Sequence, residues 1–289
     1  MNSPNKEYLT RLLDDPDELV FQSVSKQIME IGPSMIPILE TALTTATNRL
    51  QHERLEELIH RLQFEELKSD LKKWKNDPRQ DLLTGVFLMT RFQFPDTDRE
   101  TIAEVIKPIR DEIWLELNDQ LTAIEKIRIV NHILFVKREF KLNEQHPESP
   151  GNNFINRIIE TGTANEFSLT LFYGLICQEL GLPVFAVEIP DYPILAYLDV
   201  PLLPESGINP ALFDTFFYIN PANGGSMHSQ QDITDYLMRK TIPLEPVFYM
   251  PVTNCGFIRI CLERLAVDYE NYNNPRRARQ ARVLLSLCK

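Results

Sequence analysis

The sequence predicts an α+β protein: an N-terminal helical domain, a core in which one central helix packs on an antiparallel sheet, and a C-terminal helical hairpin. Three observations predict it. Apolar residues recur every three or four positions through roughly the first half of the chain, which is the helical period. The run Ser168 to Leu180 is then nearly all apolar before Gly181, Leu182 and Pro183 stop it, so that helix must lie inside a core. Short strand-like segments follow, and helical spacing returns near the end. The expected division is a helical domain at 1–95, the core with its preceding helices at 96–250, and the hairpin at 251–289, packed on the core.

Taken in order, Asp14, Asp15 and Pro16 punctuate a turn, and Leu19, Val20, Val24, Ile28 and Ile31 lay an apolar stripe along the first helix. Gly32 ends it and Pro33 opens the next, whose stripe is Ile36, Leu39 and Leu43. This pattern resembles one HEAT-type helical hairpin, a unit that buries its face by stacking on neighbours. Leu50, Leu55, Leu58, Ile59 and Leu62 continue the spacing, and Asp77 and Pro78 break it. The segment reads either as a folding and docking domain or as a surface for a protein partner.

From Asp98, a second group of helices carries Ile102, Val105, Ile106, Ile109, Ile113, Trp114 and Leu117, with Pro108 expected to bend it. Thr122 and Glu125 have capping-box spacing ahead of Ile124, Ile127, Val130, Ile133 and Leu134. His132, among these, reads as a packed or surface residue. The stretch from His146 to Asn153, HPESPGNN, cannot continue a helix. After the central helix, strands are expected at Val184 to Ile189, Ile194 to Asp199 and Thr215 to Ile219, with a proline-containing loop between the last two. Asn223, Gly224 and Gly225 form a turn, and Asp232 caps a helix with Ile233, Tyr236 and Leu237. Phe257 to Tyr269 and Pro275 to Leu287 make the hairpin, with Leu262, Leu265, Ala278, Val283 and Leu285 as its contacts.

Composition removes several classes of function. The formal net charge is −11, and the one dense basic stretch, Arg276, Arg277, Arg279 and Arg282, has the spacing of a solvated helix face, so nucleic acid is not expected as a partner. Cys177, Cys255, Cys261 and Cys288 show no CxxC pairing, and His52, His60, His132, His146 and His228 are scattered, so neither a zinc framework nor any other cofactor is expected. No segment reads as a signal peptide or membrane span, and the expected location is cytoplasmic.

The run GNNFINRIIETGTANEFSLTLFYGLICQELGLPV, the proline after the next strand, and the later FYINPANGG together resemble the SirB-type branch of the transglutaminase-like superfamily over about residues 150–240. The resemblance implies a papain/transglutaminase-like core, whose enzymes use a cysteine at the start of the central helix, a histidine on a following strand and an aspartate on the next. A helix N-terminus stabilises a thiolate, histidine takes its proton, and the carboxylate orients the imidazole. On this chain the resemblance places the three positions at Glu166, Tyr192 and Asn220. No cysteine or histidine occurs from Thr161 to Leu175 or from Phe185 to Ser226, so the thiol mechanism lacks its residues whatever the register.

The leading expectation is therefore a catalytically degenerate protein that binds or scaffolds, through its cleft or its helical domain, a protein, peptide or small polar partner. Glu166, Tyr192 and Asn220 are expected as a hydrogen-bonded cluster. An alternative is a hydrolase or acyl transferase with Ser168 as nucleophile and Glu166 as base, with His228 reaching the cleft from its loop. Cys177, three turns down the helix, reads as buried packing.

Overall fold

The computed structural model describes residues 8–145, 149–200 and 207–289. His146 at the head of the turn-rich stretch, and residues 201–206 of the proline-containing loop, lie outside the described residues.

Several helices begin at a side chain that caps them. Asp17 accepts from the Leu19 amide and starts α1 (Glu18–Ile31), which Gly32 ends with a φ of 83°. Then come α2 (Ile36–Thr45) and α3 (Arg49–Lys75). By contact the chain divides into a unit ending at Asp70 and one beginning at Leu71. In the first, Val24, Ile28, Met35, Leu39, Leu55, Leu58 and Leu62 belong to one apolar cluster. Arg54 is buried there; its guanidinium donates to the Leu13 and Asp15 carbonyls at 3.2 and 2.5 Å and lies 4.3 Å from the Phe21 ring. Leu19, expected in the stripe, is 74% exposed. It precedes Ile28 by nine residues, which at about 100° per residue puts it on the opposite side of the helix.

In the second unit, Asp81 caps α4 (Leu82–Gln93) and Asp98 caps α5 (Arg99–Glu116), which runs as one helix through Pro108. Trp114 points out beside the buried Ile113, another residue off its stripe. The expected capping box of Thr122 and Glu125 starts α6 (Ala123–Asn131), in whose first turn Ile124 is exposed. It runs directly into a π-helical turn, His132–Lys137, with Ile133 and Leu134 buried and His132 exposed. Next, α7 (Ile155–Thr161) leads to α8 (Glu166–Glu179), in which every residue from Ser168 to Cys177 is buried. Its end is a Schellman turn: the Leu182 amide donates to the Cys177 carbonyl and Gly181, at φ 72°, to that of Gln178. Two-residue strands β1 (Lys141–Leu142) and β2 (Thr163–Ala164) pair in parallel across the start of this helix; periodicity gave no sign of them.

The sheet is antiparallel in chain order: β3 (Val184–Val187), β4 (Ile194–Leu198), β5 (Thr215–Asn220) and β6 (Ser226–His228). Both faces are covered at β3 and β4, so these two strands read as continuous apolar runs. Phe185, Val187, Ile194, Ala196, Leu198 and Tyr218 pack with Ile233 and Leu237 of α9 (Gln230–Arg239). On the other face Gly174 of α8 leaves room for Leu195 and for Phe257 of α10 (Asn254–Asn271). Ser229 is the N-cap of α9, with Asp232 answering from the third helical position; the expected cap at Asp232 is thus corrected, because the reciprocal pair needs the hydroxyl first. α10 pairs with α11 (Pro275–Leu287) and also contacts α4, α8 and β3. Val283 is exposed, its inward place taken by Leu284. Within the basic stretch, Arg277 is half-buried against Phe92, to whose carbonyl it donates, while Arg276, Arg279 and Arg282 are exposed.

Candidate functional site

The start of α8 is assembled from polar side chains. Asn165 is the N-cap: its Oδ1 accepts from the Ser168 amide at 2.8 Å, and Ser168 Oγ accepts from the Asn165 amide at 3.2 Å. Ser168 Oγ also donates to the Asn152 carbonyl at 2.6 Å, so the hydroxyl is engaged on both sides and buried. Asn165 Nδ2 donates to Asn153 Oδ1 (3.0 Å), and Asn153 Nδ2 donates to Asp268 Oδ2 (2.7 Å) on α10, where Arg264 lies 2.9 Å from the other carboxylate oxygen. The two asparagines of the GNN sequence therefore brace the helix entry against an acid that is fully buried. Glu166, the first helical residue, is exposed to solvent.

Tyr192 sits in the β3–β4 turn after Asp191, whose φ is 51°, and Asn220 ends β5. Asn220 Nδ2 donates to the Tyr192 hydroxyl at 3.1 Å, and the Tyr192 ring stacks on Tyr236 of α9 with centroids 4.0 Å apart and planes at 18°. Asn220 Oδ1 is buried and has no hydrogen-bond partner among the described residues. Burial raises the pKa of the Tyr236 phenol, and the neighbouring Tyr192, Asp191 and Glu166 raise it further. Glu166 is thus near this cluster electrostatically, but among the described residues no hydrogen bond joins it to Tyr192 or Asn220. Two of the three expected members meet; the third faces water, where a carboxylate at a helix start is well solvated.

A cavity of about 620 Å³ opens beside the pair, lined by Tyr192, His228, Asp232, Asp235, Tyr236 and Arg239 among others. His228 Nε2 is 2.9 Å from Ser226 Oγ, and Ser168 is not in the lining. Cys177 is wholly enclosed and its thiol pKa is pushed far up by burial. Among the described residues no group of three or more His, Cys, Asp or Glu is arranged to hold a metal ion, and no helix is long and apolar enough to cross a membrane.

One structural contact behind the site escaped the sequence reading. Asn131, at the end of α6, accepts from the Tyr173 hydroxyl of α8 at 2.7 Å and donates to the Gly225 carbonyl at 2.8 Å. It clamps the turn after β5 to the central helix. A Cβ on Gly225 would lie 1.9 Å from Asn131 Oδ1, and φ there is 72°, so only glycine suits the turn. The signal was present in the paired glycines; their partner lies 94 residues away in sequence.

A family model described as the transglutaminase-like superfamily matches residues 100–263, more than half of the chain. No curated protein and no solved structure shows significant similarity.

Proposed function

The chain belongs to the transglutaminase-like superfamily, and from that premise we propose that it is a catalytically degenerate member, of the SirB-type branch, acting by binding or scaffolding. In this reading Glu166, Tyr192 and Asn220 hold the positions of the cysteine, histidine and aspartate, and the cavity beside Tyr192 and His228 takes a peptide or small polar ligand. The observation that carries the reading is the fate of the hydroxyl nearest the helix start. Ser168 Oγ is buried, donates to a main-chain carbonyl and completes a cap, so it has neither an adjacent base nor access to a substrate. The cavity supplies stacked aromatic rings with an imidazole, two carboxylates and a guanidinium around them, which suits recognition. The HEAT-like N-terminal helices are a second surface for a protein partner in the cytoplasm.

The test is a screen of amide and ester hydrolysis and acyl transfer with the wild-type chain, Ser168→Ala and Glu166→Ala, each checked for folding by circular dichroism. No turnover above buffer is expected from any of them. A robust activity lost in Ser168→Ala with the fold intact would overturn the reading.

A further inference from the structure

Two of the four cysteines, 33 residues apart in sequence, come together in the fold. Cys255 lies in the first turn of α10, one residue after Asn254 and two after the N-cap Thr253. Cys288 is the C-cap of α11, and the Cys255 thiol reaches the Cys288 carbonyl at 3.8 Å. The two thiols are close enough to shift each other's protonation in opposite directions. Both line a cavity of about 440 Å³ that also receives Lys75 and Arg259, and among the described residues no carboxylate lines it. Arg259 is ion-paired outside that lining to Glu188, and Lys75 Nζ donates to the Lys289 carbonyl at 2.5 Å. All four thiols are buried, but Cys177 and Cys261 do not line this cavity.

We propose that this cavity is a thiol-exchange site for small anionic disulfides, with Cys255 as the attacking sulfur and Cys288 as the resolving one. Three independent features converge on it: a helix N-terminal turn favours a thiolate at Cys255, two cations and, among the described residues, no lining carboxylate favour an anionic reactant, and a second thiol borders the same cavity with its own carbonyl 3.8 Å from Cys255 Sγ. The neighbouring Cys288 thiol lowers the Cys255 thiol to about 7, against the cost of burial, with Lys75 and Arg259 adding to it. Cys288 moves the opposite way, held protonated by the neighbouring Cys255 thiol and by burial.

The chemistry balances with the small disulfide as oxidant. The Cys255 thiolate attacks one sulfur of RS–SR, forming Cys255–S–SR and releasing RS⁻. Capping Cys255 removes the negative charge that held the Cys288 proton. Cys288 then loses that proton to RS⁻ or solvent and attacks Cys255 Sγ, expelling the second RS⁻ and leaving a Cys255–Cys288 disulfide. Two protein thiols are oxidised and one small disulfide is reduced to two thiols; excess thiol reverses each step. The product would tie the start of α10 to the end of α11.

The test exposes the reduced, folded, full chain to glutathione disulfide or to the neutral 2-hydroxyethyl disulfide, and follows it by intact-mass and peptide mapping. In wild type, Cys255 and Cys288 are expected to join, at a rate at least about tenfold above any modification of Cys177 or Cys261. Cys288→Ser should stop at one glutathionyl group on Cys255, and Lys75→Met should slow the anionic reagent more than the neutral one. Mapping on the wild-type chain needs no substitution, so a misfolded variant leaves the result readable. Modification spread evenly over the four cysteines, or none before denaturation, would overturn the proposal.

Discussion

Two helix starts in this molecule offer the same electrostatics and use them differently. At the head of α8 the exposed Glu166 takes the favourable position beside the dipole, and the neighbouring hydroxyl is locked into Asn165 and the Asn152 carbonyl. At the head of α10 the corresponding turn carries Cys255 in a cavity with two cations and a second thiol. A helix N-terminus is thus only a potential; its use depends on whether the side chain there is spent on the fold. Both starts are braced by polar bonds to distant chain, at the second through Asn254 with Gln80 and Gln178 and through the Cys255 amide to Gln80 Oε1, but only at the second does the first-turn side chain border the cavity with the two cations.

The contrast breaks most sharply if the brace is removed. Asp268→Ala leaves Asn153 and Arg264 without their buried carboxylate, and the expected loss is about 3–5 kcal/mol, read as a shift of the urea midpoint. A smaller loss would mean that the α8 entry is held by apolar packing alone. Next in size is the pH dependence at the other helix. Because the thiolate reacts and the folded pKa is lowered to about 7, alkylation of Cys255 should level off above that pH and fall about tenfold per unit below it. The groups facing it there are Cys288, Lys75 and Arg259. A midpoint near the ordinary thiol value would erase the difference between the two starts.

Ser168→Ala should cost about 1–2 kcal/mol by loss of the reciprocal cap and of the bond to the Asn152 carbonyl, measured by thermal melting. The smallest effect is expected from Glu166→Gln. This residue is solvent-exposed, so only its dipole interaction is lost, about 0.3 kcal/mol, at the limit of a denaturant titration. If that change proved the costlier of the two, Glu166 would be part of the brace.

The same two regions mark how far the sequence could be read. The central helix was legible because a nearly all-apolar run has one place to go, and its stop at Gly181 is chemically explicit. The three main strands came out within a residue or two, since their flanking turns are rich in proline and glycine. Leu19 and Trp114 were misplaced because an apolar residue near a stripe is indistinguishable in one dimension from one on it. The π turn at His132 and the two-residue strands leave no periodic trace. Of the site, Tyr192 and Asn220 were placed by resemblance and do touch, 28 residues apart. The brace to Asp268 spans 115 residues and the bond between Cys255 and the Cys288 carbonyl spans 33, and no local rule pairs such positions.

The Asn131–Gly225 clamp has a consequence for how this chain can vary. The amide of Asn131 occupies the space where a side chain at position 225 would begin, and both of its polar ends are committed, one to each neighbour. Neither residue is free to drift alone: a larger group at 225 collides, and a shorter one at 131 strands the Tyr173 hydroxyl and the turn carbonyl together. In a lineage descending from this sequence, the two positions should change as a pair or stand still, and the tyrosine on the central helix should follow them.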